Sequence, residues 1–242
     1  MAAAPDSATV LYEKRGAIAW VTLNRPAQFN AYNMAMRDDL FEVLSAIHDD
    51  DEVRAMVLAG AGAAFSTGGD LTEFGMAPSP LVARWVRFRR DVWGRLKALP
   101  IPTIAAIHGY TVGGGLEIAL LCDLAIAADD TKLCFPETGA GMIPGVAGTQ
   151  TAARRLGLGR ALDWCITGRW IDAHEGLLVG LVADIVPLAE LDRRALKLAR
   201  EIGRLPRAQS ALVKLAVWGG LDLPLQQGLE LERRLARRLA LT

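Results

Sequence analysis

Hydrophobic and polar positions alternate with two different periods in the first sixty residues of the chain. Residues 16–24 (GAIAWVTLN) alternate with a period of two and are rich in β-branched and aromatic residues, which predicts a strand. Residues 33–47 repeat apolar residues every three or four positions, which predicts a helix with Asn33 as its cap. Residues 54–60 (RAMVLAG) form a short apolar run that ends in glycine, as a buried strand does. A strand, a helix and a buried strand therefore follow one another.

The same order recurs further along the chain. Residues 103–107 predict a strand, a helix begins near Gly114, and residues 124–128 predict another strand, so we expect an α/β layered fold. The pattern then becomes helical in three consecutive segments: 188–205, 208–218 and 225–241. We therefore expect two regions, a core over 1–187 and a helical appendage over 188–242.

Composition limits the classes of function. The chain has 242 residues, of which 52% are hydrophobic, and its 27 basic residues equal its 27 acidic ones, so no overall charge favours nucleic acid or an anionic membrane. Cys122, Cys134 and Cys165 lack CxxC spacing and lie among apolar residues, which is typical of free thiols in a reducing compartment. The first ten residues contain neither a basic segment nor an apolar run, and the longest apolar region is interrupted by charges and prolines. We expect a cytoplasmic protein without a membrane span.

Two basic segments, 84–97 and 232–238, raise the alternative of nucleic-acid binding. The apolar residues of the first segment recur at helical spacing: Trp85, Phe88, Val92 and Leu96. This spacing favours an amphipathic helix with a solvated basic face.

Several signatures of catalytic or nucleotide sites are incomplete. Residues 60–65 (GAGAAF) begin like a dinucleotide fingerprint but lack its third glycine, and no glycine cluster leads into the Lys-Ser or Lys-Thr of a phosphate loop. No pair of His, Cys or carboxylate residues has metal-ligand spacing. Ser66, Asp70 and His108 could be written as a hydrolytic triad, but no GxSxG elbow supports it. These patterns favour none of those sites.

Three glycine-rich stretches carry the remaining chemistry: residues 63–71 (AAFSTGGDL), 111–117 (TVGGGLE) and 134–150 (CFPETGAGMIPGVAGTQ). The first two follow predicted buried strands, where glycine lets the backbone turn sharply and approach a ligand. Backbone N–H groups at such turns can stabilise a developing anion. Two of these turns side by side would form an oxyanion hole.

Two glutamates lie within these stretches. Glu117 falls in the first turn of the helix that the glycines open, and Glu137 follows a proline. Two carboxylates that face one apolar cleft would not both ionise easily, so one could hold a proton while the other acts as a base. The alternative is that Glu117 only caps a helix and Glu137 lies in a surface turn, and spacing alone leaves both interpretations open.

Four motifs in order resemble those of the enoyl-CoA hydratase/isomerase (crotonase) family. They are NRPAQFNAY at 24–32, AFSTGGDL at 64–71, IHGYTVGGGLEIALLCDLAIA at 107–127 and FPETGAGMIPGVAGTQ at 135–150. The resemblance implies an α/β fold, a crotonase-like spiral of repeated ββα units with a C-terminal helical region for trimerisation or as a lid, and a homotrimer or a dimer of trimers. It also implies acyl-CoA thioester substrates, no metal and no cofactor beyond the coenzyme A of the substrate.

The resemblance also assigns roles to residues by position. Glu117 and Glu137 match the two glutamates of the family's hydratases, which implies syn addition of water to a 2-enoyl-CoA to give a 3-hydroxyacyl-CoA. We expect Glu117 to activate the water and Glu137 to supply the proton to C2, while the backbone N–H groups of Thr67 and Gly114 bind the thioester oxygen. The residues expected to contact the substrate or its CoA moiety are Arg25, Ala27, Phe29, Ala64, Ser66, Gly68, Asp70, Leu71, Gly113 and Met142.

Other activities on the same fold stay open at this point, namely an isomerase, a C–C bond hydrolase, an RNA-binding relative or a silent scaffold. Ala27 stands where many members carry a lysine near CoA, and the last residues do not match the family's closing EGxxAFxEKRxP segment. The contacts to the CoA phosphates are therefore open, with Arg237 and Arg238 as candidates.

Overall fold

Two sheets form the framework of the protein, and the computed structural model describes residues 8–240 apart from the side chains of Arg87 and Phe88. The strands are β1 (Val10–Arg15), β2 (Ile18–Leu23), β3 (Ala55–Gly60), β4 (Ala64–Ser66), β5 (Thr103–Ile107), β6 (Tyr110–Val112), β7 (Leu124–Ala128), β8 (Lys132–Cys134), β9 (Ile171–Asp172) and β10 (Asp184–Val186). The large sheet has the order β1-β2-β3-β5-β7-β10, and the small sheet has the order β4-β6-β8-β9. Neighbouring strands are parallel except for the β1–β2 and β8–β9 pairs.

Helices follow the strands along the chain. They are α1 (Met34–Asp49), α2 (Pro80–Arg89), α3 (Val92–Lys97), α4 (Gly114–Leu121), α5 (Gly148–Leu156), α6 (Leu158–Thr167), α7 (Ala173–Leu178), α8 (Leu191–Gly203), α9 (Arg207–Gly220) and α10 (Leu225–Ala240). Asn33 caps α1 by accepting a hydrogen bond from the Met36 N–H at 2.9 Å, as predicted.

The chain winds as a spiral in which each turn has one strand in each sheet and then helix. Strands β3 and β4 precede α2 and α3, β5 and β6 precede α4, and β7 and β8 precede α5. This order confirms the predicted α/β spiral of ββα units with a C-terminal helical region. The hydrophobic pattern alone predicted four strands of the large sheet: β2, β3, β5 and β7. It missed β1, which is mostly exposed. It also missed β4, β6, β8, β9 and β10, because two or three residues are too few to show a period.

The large sheet buries both of its faces. In β2, Ala19 and Val21 contribute to one core while Ile18 and Trp20 contribute to a second core on the opposite face. The second core is completed by three buried residues of α8: Leu191, Ala195 and Ala199. Helix α8 therefore covers the sheet and is part of the core, unlike the separate appendage expected after residue 187.

The predicted basic helix over 84–97 is two helices. Asp91 interrupts it and caps α3 by accepting a hydrogen bond from the Gly94 N–H at 2.9 Å. Val92 and Leu96 are buried, whereas Trp85 is exposed, so they do not share the single apolar face that the spacing predicted.

Asp123, just beyond the C-terminal end of α4, attaches α9 to the core. Its carboxylate accepts hydrogen bonds from Lys214 Nζ at 2.8 Å, Trp218 Nε1 at 2.6 Å and the Thr103 backbone N–H at 2.8 Å. Lys214 and Asp123 are both largely buried, so each charge depends on the other for compensation.

Removing one member of this ion pair should be more costly than removing both charges. We expect Lys214→Met to lower the free energy of unfolding by about 3 kcal/mol, because it leaves Asp123 buried without its cation. Chemical denaturation of Lys214→Met, Asp123→Asn and the double variant measures the coupling between the two residues. The double variant should lose less free energy of unfolding than the two single variants lose together. Lys14→Met, which breaks an exposed ion pair with Asp50, is the control and should show a smaller loss; an additive double variant would contradict this account.

Candidate active site

The three glycine-rich stretches meet at one edge of the small sheet. Strands β4, β6 and β8 are parallel neighbours, with Ser66 opposite Thr111 and Val112 opposite Cys134. Since the carboxyl ends of parallel strands lie at the same edge, the turns that follow them are adjacent. These turns and the first turn of α4 contain the candidate residues Gly68, Gly113, Gly114, Glu117 and Glu137.

Two glycines allow these turns to approach each other. Gly68 has a φ of +88°, and a Cβ at this position would lie 2.8 Å from the backbone nitrogen of Gly114. Gly113 has a φ of +52°, and a Cβ there would lie 2.9 Å from Oε1 of Glu137. The contact at Gly68 is to a backbone atom that cannot move aside, and the left-handed φ at both positions strains any other residue, so both positions favour glycine.

Two backbone amides at this junction lack a hydrogen-bond partner within residues 8–240, those of Gly69 and Gly114. Gly114 is the first residue of α4, whose N-terminal amides have no partner within the helix. A Cβ built on Gly114 would lie 3.6 Å from the Gly69 nitrogen, so the two amides are close. The Thr67 N–H instead donates to the Phe29 carbonyl at 3.1 Å. The assignment of Thr67 to the oxyanion hole is therefore wrong, and Gly69 takes its place as the candidate.

Glu117 is almost fully buried, and its Oε1 atom is held by backbone amides. The N–H groups of Val146, Ala147 and Gly148 donate to Oε1 at 2.9, 3.0 and 2.6 Å. These amides lie at the N-terminus of α5, where the helix dipole favours a negative charge. A Cβ at Gly148 would lie 2.8 Å from Oε1, so glycine is needed for this contact. The three donors were missed by sequence reasoning, although the glycine in VAGTQ was the available signal.

Glu137 has a different environment. It lies in the turn after β8 and is 9% exposed, and its Oε2 atom is buried without a hydrogen-bond partner in the described part of the chain. Burial, with a further contribution from the charge of Glu117, raises the pKa of Glu137 to about 7. Glu137 can therefore hold a proton near neutral pH while Glu117 is bound by donors.

Two cysteines near these glutamates are poor nucleophiles. Burial, together with the charge of Glu137, raises the pKa of Cys134 to about 11. The pKa of Cys165 is raised first by burial and then by the charges of Glu137 and Glu117. Both thiols stay protonated at neutral pH, which disfavours covalent catalysis by a thiolate.

Arg25 and Asp70, both expected to contact the substrate, bind each other. Arg25 Nη1 lies 2.9 Å from Asp70 Oδ2, and both side chains are largely buried. The hydroxyl of Thr72 and then the Arg25 guanidinium hold the pKa of Asp70 below its ordinary value. The pair joins the loop after β2 to the loop after β4, so its geometry supports a bracing role and not a direct contact with CoA.

The remaining predicted contact residues divide by exposure. Ala64 and Ser66 are fully buried, and the Ser66 hydroxyl donates to the Asn30 carbonyl at 2.8 Å, so neither side chain can reach a substrate. These two expectations are wrong because β4 runs into the core before it reaches the site edge. Four of the predicted contact residues are exposed, and their contact with substrate stays a prediction: Ala27, Phe29, Leu71 and Met142.

Asn30 is a structural residue of the site that sequence reasoning did not single out. It is fully buried with a φ of +55°. Its side chain accepts a hydrogen bond from the Arg25 N–H at 2.8 Å and donates to the carbonyls of Ala61 and Ala64, each at 2.8 Å. Asparagine tolerates the left-handed region better than most residues, so its place in the NRPAQFNAY motif was the signal.

The hydrolytic triad is not assembled. His108 Nε2 pairs with the Gly62 carbonyl at 2.9 Å, while Ser66 and Asp70 are engaged with Asn30 and Arg25. Across residues 8–240, no group of three His, Cys, Asp or Glu side chains could hold a metal ion. Within the same residues, every helix is too short or too polar to cross a membrane.

Comparison with known proteins identifies the framework. The family model described as enoyl-CoA hydratase/isomerase matches residues 13–240. A probable enoyl-CoA hydratase of Mycobacterium tuberculosis is 36% identical over 227 residues, which are 94% of this chain and 88% of that protein. A short-chain-enoyl-CoA hydratase of Clostridium acetobutylicum is 35% identical over 224 residues, which are 92% of this chain and 86% of that protein.

Solved structures agree with these matches. An enoyl-CoA hydratase from Bacillus anthracis superimposes with a TM-score of 0.91 at 33% identity, covering 97% of this chain and 92% of that one. An enoyl-CoA hydratase subunit from Geobacillus kaustophilus gives a TM-score of 0.90, also at 33% identity, with coverage of 97% and 90%. By its motifs, fold and extent of similarity, this chain belongs to the enoyl-CoA hydratase/isomerase family.

Proposed function

We propose that this protein is an enoyl-CoA hydratase that adds water across the C2–C3 double bond of a 2-enoyl-CoA. One observation carries the proposal: two buried glutamates in unlike environments lie beside two unpartnered backbone amides. Hydration needs a base for the water, an acid for C2 and donors for the thioester oxygen. The site contains a candidate for each of these needs.

Gly69 and Gly114 supply the donors. Their N–H groups bind the thioester oxygen, where negative charge develops as water adds at C3 and the double bond electrons move toward the carbonyl. Such donors stabilise an enolate-like charge more effectively than bulk water because they are already oriented. Their position at strand ends and at the start of α4 supports this role.

Glu117 and Glu137 divide the proton transfers. Oε1 of Glu117 is held by three amides, which leaves Oε2 to take a proton from the water as its oxygen bonds to C3. Glu137, with its raised pKa, donates its proton to C2 as the charge on the thioester oxygen collapses. The product is a 3-hydroxyacyl-CoA, and one further proton transfer from Glu117 to Glu137 through a new water restores both groups.

Coenzyme A is part of the substrate in this mechanism, and no step of the mechanism uses a metal or another cofactor. Exposed apolar side chains follow Gly69 along the chain and are suited to contact the acyl chain or the pantetheine: Leu71, Phe74, Met76 and Leu81. Arg237 and Arg238, in the last turn of α10, are our candidates for the CoA phosphates.

We also propose that the protein assembles as a homotrimer or a dimer of trimers, with 188–242 contributing to the contacts or to a lid. An exposed apolar stripe on α6 supports assembly, because Leu158, Leu162 and Ile166 lie one helical turn apart and face solvent in a single chain. The free thiols of Cys122, Cys134 and Cys165 support a reducing, cytoplasmic compartment.

Replacing either glutamate by glutamine should abolish most hydration. We expect Glu117→Gln and Glu137→Gln each to lower kcat by about 10² to 10⁴-fold, because each removes one proton transfer. The measurement follows the loss of conjugated-thioester absorbance with crotonyl-CoA and with a longer 2-enoyl-CoA, with product identification. Glu13→Gln, on the exposed strand β1, is the control and should retain full activity.

The products separate this proposal from its rivals. A 3-hydroxyacyl-CoA supports hydration, a shifted double bond would identify an isomerase, and a shortened acyl chain would identify a hydrolase. Wild-type protein that binds CoA thioesters without changing any of them would refute the hydratase assignment.

The pH dependence of turnover should follow Glu137. Since the raised pKa of Glu137 lies at about 7 and the proton donor must be protonated, kcat should fall as pH rises through 7. A kcat that stays constant from pH 6 to pH 9 would exclude Glu137 as the rate-determining donor.

Glu137→Gln should also stabilise the folded protein, but only at higher pH. The native carboxyl keeps its proton up to about pH 7, whereas the unfolded one loses it near pH 4. Wild-type stability therefore declines between these values and stays lower above pH 7. We expect the variant to be more stable than wild type by roughly 1–3 kcal/mol at pH 8 and by little at pH 4. Denaturant titrations at both pH values test this, and equal effects at both would mean that burial of the charge is not the cause.

A further inference from the structure

Helix α4 carries both Gly114 and Glu117, yet its sides offer little to fix its position. Its residues from Gly115 to Leu121 are all buried, and Glu117 is the one polar side chain among them. Apolar contacts resist separation of a helix from its neighbours but are weakly directional. The polar contacts that help to fix α4 along its own axis lie near its two ends.

Arg155 holds the C-terminal end of α4. Its Nη2 atom donates to the carbonyl of Leu120 at 3.1 Å and to the carbonyl of Cys122 at 2.8 Å. Carbonyls in the last turn of a helix have no partner within it and need an external donor when they are buried. Burial lowers the pKa of Arg155, but an arginine stays charged, so the contact is a charge-assisted one.

The same helix, α5, also holds the N-terminal end of α4. The amides of 146–148 at its start bind Oε1 of Glu117, and Arg155 lies in its last turn. Helices α4 and α5 therefore run side by side in the same direction and are joined at both ends. We propose that Arg155 is a positioning residue for the active site, which together with the bonds of Asp123 sets the axial position of α4 and hence of the Gly114 N–H and Glu117.

The inference rests on the proposed function for its kinetic part, while its structural part is independent of the reaction. The helix stays attached when Arg155 is lost, because Asp123 remains bound to Thr103 and Lys214. Loss of the guanidinium should therefore shift or loosen α4 and leave the protein folded. The neighbouring Arg154 is exposed and pairs with Asp222, so we do not expect it to replace Arg155 at the end of α4.

Arg155→Met and Arg155→Lys test this role, with Arg207→Met as the matched control. Arg207 also donates to a carbonyl in the last turn of a helix, that of His48 in α1, and pairs with Asp51, but it does not contact α4. For Arg155→Met we expect kcat for a 2-enoyl-CoA to fall at least about tenfold with KM nearly unchanged, because an error of about 1 Å in position is costly to the chemistry. Arg155→Lys, which keeps a donor, should recover part of the loss.

Amide hydrogen exchange gives a readout that does not depend on activity. Peptides covering residues 113–121 should exchange faster in Arg155→Met than in wild type, and they should be unchanged in Arg207→Met. Faster exchange together with the selective loss of kcat supports the inference. Unchanged exchange in these peptides, or equal kcat losses in both methionine variants at matched thermal stability, would overturn it. If wild type hydrates no enoyl-CoA, the proposed function is wrong, while the exchange comparison still decides whether Arg155 positions α4.

Discussion

The hydrogen bonds from three consecutive amides to one oxygen of Glu117 are the contact on which the rest of the site depends. A carboxylate inside an apolar core is costly unless donors compensate its charge, and the start of α5 supplies three. Since these donors are backbone groups, they cannot rotate away as a lysine or arginine could. The same bonds join α4 to α5, so the contact that compensates a buried charge also fixes the position of Glu117, the base in the mechanism that we propose.

The cost of burying the second carboxyl, that of Glu137, is compensated in a different way. Glu137 has an unpartnered buried oxygen, and its burial is compensated by keeping a proton, as the raised pKa indicates. The two glutamates thus differ in protonation because they differ in the number of hydrogen-bond donors around them. The charge of Glu117 also helps to keep Glu137 neutral. The acid and base roles that we propose follow from these surroundings even though the two side chains are chemically identical.

Much of the fold was predictable because it rests on periodic patterns. Four strands of the large sheet (β2, β3, β5 and β7) and the helix capped by Asn33 follow from apolar spacing that burial enforces. The strands of the small sheet escaped the pattern because of their length, and only the motif resemblance implied them. Within the site, glycines marked the right turns, but the choice between Thr67 and Gly69 depends on which amide the Phe29 carbonyl already accepts. Such a contact between distant segments leaves no local trace in a sequence.

The two glutamates differ in what their replacement would cost the fold. Replacing Glu117 by a residue without a side-chain oxygen removes the acceptor of three amides, of which two are part-buried and that of Gly148 is buried. The loss of this acceptor destabilises the junction of α4 and α5. Changing Glu137 removes a group with an unsatisfied oxygen and relieves a cost of burial. The donors that we propose for the thioester oxygen are the backbone N–H groups of Gly69 and Gly114, which persist in either case. Substitution at position 137 can therefore change the chemistry of the site at little cost in stability. Substitution at position 117 changes the chemistry and also destabilises the fold.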